Sequence, residues 1–125
     1  MRILASLAVA LVALLHLGFL VLEMFYWDRP LGRRLFRLTP EASSTSRVLA
    51  ANQGLYNGFL AAGLFWGLLL GPAGFGVTVF FLSCVVVAGL FGAATAGRPI
   101  LWLQAAPGAA ALALTLAARG VLHHG

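Results

Sequence analysis

Long apolar runs separated by short polar breaks dominate the chain, and their lengths carry the first conclusion. An apolar helix needs about 20 residues to cross the hydrocarbon of a bilayer. The first run extends from Ile3 to about Tyr26. A secretory signal has an apolar stretch of only about 7–15 residues and ends on small residues. This run closes on Met24, Phe25, Tyr26 and Trp27, so it reads as a retained helix. Residues 28–47, DRPLGRRLFRLTPEASSTSR, form the one sizeable polar segment. In it Leu31, Leu35 and Leu38 recur at helical spacing among Arg33, Arg34 and Arg37, which predicts a short helix lying in the membrane interface.

Thr39-Pro40-Glu41 has the form of a helix start, Thr as N-cap and Pro at the first position. The second long helix is therefore expected to begin near Pro40, with its apolar part at 48–70. Gly71-Pro72-Ala73-Gly74 is a turn, and a third span covers about 75–95. Gly97-Arg98-Pro99 is the next break, and a fourth span covers about 100–118, with a tolerated Pro107 inside it. No linker, tandem repeat or second domain interrupts this order. The expected fold is all-α: one transmembrane domain over 1–125, a polytopic four-transmembrane-helix bundle with a short interfacial helix in its first loop.

Composition supports lipid as the main solvent. The chain is 62% hydrophobic and 9% charged, with a mean hydropathy of +0.99, where a soluble domain is about a quarter charged. The net charge of +5 comes from eight Arg, no Lys and three acids. Six of those arginines (Arg29, Arg33, Arg34, Arg37, Arg47 and Arg98) fall on one side of a four-span topology, and only Arg2 and Arg119 on the other. The positive-inside rule then makes the six-arginine side cytoplasmic and puts both termini outside the cell membrane. Membrane lipid, not nucleic acid, is the partner this charge implies. Cys84 stands alone in an apolar run and reads as a packing residue. His123 and His124 lack a third ligand at metal spacing, so no metal site and no cofactor are expected.

Helix association inside lipid depends on close packing, since hydrocarbon offers no hydrophobic drive between helices. Small residues recur at four-residue spacing: Gly54/Gly58/Ala62 and Gly63/Gly67/Gly71 in the second helix, Gly89/Ala93/Gly97 in the third, Ala109/Ala113/Ala117 in the fourth. These rows are read as packing ridges.

Polar groups inside lipid are costly and therefore informative. His16 and Glu23 are two turns apart on one face of the first helix. Asn52, Gln53, Tyr56 and Asn57 cover an arc of roughly 140° on the second, and Gln104 lies early in the fourth. At ~1.5 Å per residue, Glu23 is roughly 6 Å inside Trp27, Gln53 and Gln104 about 9 Å from Arg47 and Arg98, and His16 and Asn57 about 15 Å deep. All seven fall in the cytoplasmic half, and the outer half is nearly bare of strong polar groups. The simplest arrangement is one polar pocket between helices 1, 2 and 4, open to the cytoplasm. Intramembrane amides also serve simply to bond helices together, at under 1–2 kcal/mol per contact. Glu23 fits that bland role poorly, because a carboxylate there must pair with Arg, stay protonated or bind something.

The stretches HLGFLVLEMFYW (16–27), TPE (39–41), VLAANQGLYNGFLAAGLFWG (48–67) and GRPILWLQAAP (97–107) resemble the domain-of-unknown-function 1304 family of small integral membrane proteins. The resemblance covers nearly the whole chain and implies four helices and a membrane location; it implies no activity. All seven polar residues fall within the matching stretches.

Three functions follow as expectations. In the first, the pocket binds and transports a small solute, with Glu23 and His16 as a titratable pair. Four helices are too few to enclose a gated path, so this reading calls for a homodimer. In the second, a membrane-embedded isomerase, cyclase or hydrolase acts on a lipophilic small molecule. Glu23 or His16 would then be general acid or base, with Gln53, Tyr56, Asn57 and Gln104 as orienting groups. In the third, the chain is a non-catalytic subunit or lipid-binding partner. No nucleophile motif, metal spacing or phosphate loop is present, which disfavours redox and phosphoryl-transfer chemistry.

Overall fold

A computed structural model describes residues 2–97 and 99–124, with 121–124 as backbone only, so Arg98 and the side chains of His123 and His124 lie outside the described residues. All regular structure among them is helical. Helix α1 spans Arg2–Val21 and continues as a π-helical turn, Leu22–Tyr26. The short α2 spans Pro30–Phe36, and α3 runs for 30 residues, Pro40–Leu69. A 3₁₀ turn at Gly71–Gly74 leads into α4, Phe75–Thr95. A second π turn, Leu101–Ala105, precedes α5, Ala106–His124.

Local chemistry accounts for these boundaries. The Thr39 hydroxyl accepts the Ala42 N–H at 3.1 Å, capping α3 beside Pro40 as the sequence predicts. Helix α2 stops where Arg37 turns left-handed (φ 54°) and the Leu38 N–H reaches back to the Arg33 carbonyl at 2.9 Å. Gly71 takes a positive φ of 62° in the 3₁₀ turn, a conformation open to glycine without penalty. Pro107 has no N–H to give the helical ladder, and just before it the Ala106 N–H bonds the Leu101 carbonyl in the wider π pattern.

Among the described residues, three stretches are long and apolar enough to cross a membrane: Arg2–Tyr26, Gly71–Thr95 and Leu101–Gly120. The second expected span is not among them. Helix α3 has the length, but Asn52, Gln53, Tyr56 and Asn57 dilute its apolar stretch.

The chain divides into two compact units, Met1–Leu14 with Leu60–Gly125, and Leu15–Phe59. In the first, Val9, Val12 and Ala13 of α1 meet Leu64 of α3, Leu82 and Val85 of α4 and Ala111 of α5 in a buried apolar core. Close approach inside this unit uses small residues. A Cβ on Gly89 would lie 2.6 Å from the backbone nitrogen of Ala105, and one on Gly108 would lie 2.7 Å from Val85 Cγ1. Gly63 and Gly67 likewise leave room for Phe81 and Thr78. The predicted row Ala109/Ala113/Ala117 faces outward instead; Gly108, Ala111 and Ala118 are the buried positions of α5, in line with buried Ala105 of the preceding π turn. Large apolar side chains, among them Ile3, Leu7, Val87 and Phe91, stay more than half exposed, a surface suited to hydrocarbon.

The second unit packs the end of α1 against the first part of α3. A Cβ on Gly54 would lie 2.7 Å from Met24 Cγ, 3.1 Å from Glu23 Cβ and 3.2 Å from the Leu20 carbonyl oxygen; one on Gly58 would lie 2.6 Å from Leu20 Cδ1. The predicted Gly54/Gly58 ridge is thus the contact surface, while Ala62, its expected continuation, is exposed.

Candidate functional site

The close approach at Gly54 sets the site. With no Cβ at 54 or 58, the α3 backbone comes against Leu20, Glu23 and Met24, and one turn beyond Gly54 the Asn57 amide reaches the carboxyl. Asn57 Nδ2 donates a hydrogen bond to Glu23 Oε1. Both side chains are half-buried. Glu23 lies in the π turn Leu22–Tyr26, where the helix is wider than an α-helix; such turns often mark functional positions.

A carboxyl and an amide held together make a versatile polar pair. The carboxylate has about four lone-pair positions, and this bond from Asn57 uses one of them. When protonated, the same carboxyl becomes a donor. The amide is a neutral partner, so it satisfies part of the carboxylate's demand without cancelling its charge. A cation or a hydrogen-bonding solute could complete it.

The other predicted residues are placed differently. His16 is wholly buried, with its ring edge-on to Phe19 at 5.2 Å between centroids. Asn52, Gln53 and Tyr56 are exposed on α3, with Tyr56 set edge-on to Phe59 at 5.9 Å. Gln104 belongs to the first unit, half-buried in the π turn Leu101–Ala105. The structure therefore joins Glu23 to Asn57 by a direct bond, sets His16 in the same unit as that pair, and leaves Asn52, Gln53 and Tyr56 on an outward face. Both π turns carry one of the predicted polar residues.

Two polar features escaped the sequence reading. The first lies where the end of α1 meets the start of α3. Buried Ser43 donates to Asp28 Oδ1 at 2.5 Å, and Arg33 Nη2 donates to the Asp28 carbonyl at 3.0 Å, with Arg33 Nε 3.5 Å from Asp28 Oδ1. Trp27 Nε1 donates to Ser46 Oγ at 2.9 Å, and its ring lies 4.7 Å from that of Phe36. The arginine-rich loop is thus tied to α3 by specific bonds. Serines at 43 and 46 recur at helical spacing and were the available signal.

The second is a cavity of about 390 Å³ in the first unit, between the starts of α1 and α4 and the ends of α3 and α5. Arg2, Ser6, Thr78, Thr115 and Arg119 are its polar walls, and the Arg119 guanidinium sits 4.0 Å from the Phe75 ring centroid. The expectation of an outer half nearly bare of strong polar groups does not include these hydroxyls.

An all-helical protein, with three apolar helices of membrane-crossing length and a carboxyl–amide pair at a glycine contact, is the class these observations define. The chain belongs to the family described as "Protein of unknown function (DUF1304)", which matches residues 10–116. It is similar to the uncharacterized protein YpaA of Lactococcus lactis subsp. lactis (strain IL1403), 31% identical over 116 residues that span 91% of this chain and 96% of the relative. No solved structure matches it.

Proposed function

We propose that the chain is a four-span membrane protein, with α3 as the remaining span and both termini outside. It binds a small cationic or polar solute at Glu23 and carries it across the membrane as a homodimer. The observation that supports the reading is the Asn57–Glu23 bond beside the Gly54 contact. A carboxyl is placed inside an apolar helix at high cost, and a neutral amide orients it without consuming its charge. Binding of a cation, or exchange of a cation for a proton, is a use that repays this placement. His16, on the same helix, is the second titratable group of the proposed site, and Asn52, Gln53, Tyr56 and Gln104 are the proposed hydrogen-bonding groups.

For α3, the exposed side chains Val48, Leu49, Leu55, Phe59, Trp66 and Leu69 favour a lipid surroundings for most of its length. The arginine asymmetry supports the orientation.

Reconstituted vesicles with an imposed pH gradient test the reading. Addition of small organic amines and quaternary ammonium ions to wild-type vesicles is expected to release trapped protons, read by an internal pH dye. Glu23→Gln removes the response and Asn57→Leu weakens it. Glu23→Gln vesicles that respond like wild type would sink the proposal.

A further inference from the structure

We propose that two copies of this chain meet along one seam of α3, made by Ala42, Thr45, Leu49, Asn52, Tyr56 and Phe59, with the two Asn52 amides bonded to each other. The inference rests on α3 as a span and names the surface of the homodimer proposed above.

The two sides of this part of α3 differ. Ser43, Ala50 and Gly54 are buried on one side, where Ser43, Gly54 and Asn57 meet residues 20–28 of the same unit. At about 100° per residue, Asn52 lies roughly 160° around the helix from Gly54. The six residues of the seam recur every three, then four, positions, and all six are exposed. Leu49 is 70% exposed, Tyr56 52% and Phe59 54%. A three-and-four alternation is the seam of two helices packed at a shallow left-handed crossing. From Ala42 to Phe59 it runs about 26 Å along the helix.

The chemistry of the seam selects a second copy as its occupant. Exposed leucine and phenylalanine need no cover in hydrocarbon, but an exposed amide does, because lipid tails offer it no hydrogen bond. An amide both donates and accepts, so two identical amides satisfy each other, and two tyrosine hydroxyls do the same. Copies inserted in one orientation are related by a twofold axis along the membrane normal. That axis runs their α3 helices parallel and sets each seam residue against its own copy. Leucine then meets leucine, amide meets amide and ring meets ring. An unrelated partner would have to carry a complementary polar group at the depth of Asn52. A single asparagine in such a seam also fixes the register and the number of helices.

Single-cysteine cross-linking of the full chain in membranes, in a Cys84→Ala background, tests the interface. Catalysed oxidation should give disulfide dimers from Leu49→Cys, Asn52→Cys, Tyr56→Cys and Phe59→Cys, since facing seam positions come within disulfide reach, about 4.4–6.8 Å between Cα atoms. Arg47→Cys and Val21→Cys, exposed positions of the same unit off the seam, should give severalfold less. Förster transfer between labelled copies in liposomes reads the affinity. Asn52→Leu should weaken it about three- to tenfold, the range of a hydrogen bond between membrane helices, and Asn52→Gln should keep most of it. Circular dichroism and elution profile confirm that each variant is folded. Equal cross-linking at Arg47→Cys and the four seam positions, no dimer from any of the four, or Asn52→Leu as tight as wild type would each overturn the proposal. Rapid labelling of Asn52→Cys by a membrane-impermeant maleimide in sealed vesicles would overturn it by refuting α3 as a span. The cross-linking pattern is expected to hold in Glu23→Gln whether or not that variant responds to amines, so the interface and the solute site fail separately.

Discussion

Gly54→Ala, set beside Gly18→Ala, tests the close approach on which the carboxyl–amide pair depends. Both glycines are helical and lie in the same unit. Each substitution gains about 1 kcal/mol of helix propensity, so this contribution cancels in the comparison. A Cβ at 18 meets nothing within 4 Å, whereas a Cβ at 54 lies 2.7 Å from Met24 Cγ, 3.1 Å from Glu23 Cβ and 3.2 Å from the Leu20 carbonyl oxygen. Overfilling a packed contact costs about 1–3 kcal/mol, and that cost falls on Gly54 alone. Gly54→Ala should therefore be less stable than Gly18→Ala by about 1–3 kcal/mol, or at least ~3 °C in Tm for a chain of this size. Thermal unfolding in matched detergent, followed by circular dichroism, reads the difference. Adding Met24→Ala removes the nearest obstacle but not the other two, so it should restore only part of the loss. Coincident melting of the two single variants would refute the contact and, with it, the positioning of Asn57 against Glu23.

Two other perturbations probe the remaining contacts. Gly89→Ala places a Cβ 2.6 Å from the Ala105 nitrogen and 2.8 Å from its Cα; backbone cannot step aside as a side chain can, so a loss of about 1–3 kcal/mol is expected, measured by denaturant titration in micelles. Trp27→Phe keeps an aromatic ring against Phe36 but loses the 2.9 Å bond to Ser46; about 1 kcal/mol should go with it, and Ser46→Ala should add little on top if the bond is the cause.

The features legible in the sequence are those that depend on a few neighbouring residues. Thr39 and Pro40 announce the start of α3, and Gly71 to Gly74 announce the turn before α4, because capping and turn chemistry are local. The Gly54/Gly58 ridge was legible because two glycines at helical spacing in an apolar helix have few other uses. The ridge of α5 was not. That helix is so rich in alanine that several small-residue rows compete, and only the partner helix decides that Ala105, Gly108 and Ala111 face inward while Ala109 and Ala113 face out. The π turns were also hidden, since apolar spacing of a few residues looks alike in a helix of 3.6 residues per turn and in a slightly wider one. The cavity between Arg2 and Arg119 is formed by four elements distant in sequence, and no single stretch carries its signature.

In helix α3 one set of residues bears on both the proposed site and the proposed fourth span. Asn52, Gln53, Tyr56 and Asn57 are this helix's share of the proposed site, and the same four keep it short of the apolarity of the other long helices. Of the four, Asn57 is half-buried with its amide on Glu23, and the other three are exposed. In the four-span arrangement proposed above, three exposed polar side chains would face hydrocarbon, where an unmatched amide costs several kcal/mol. Such a face requires a cover that offers hydrogen bonds. Leu49, Asn52, Gln53, Tyr56 and Phe59 recur at the three- and four-residue spacing of one helix stripe, and all five are exposed. A second copy of α3 laid along that stripe would match amide to amide, as asparagine and glutamine do between membrane helices. The proposed homodimer and the cover that this stripe requires would then be one interface.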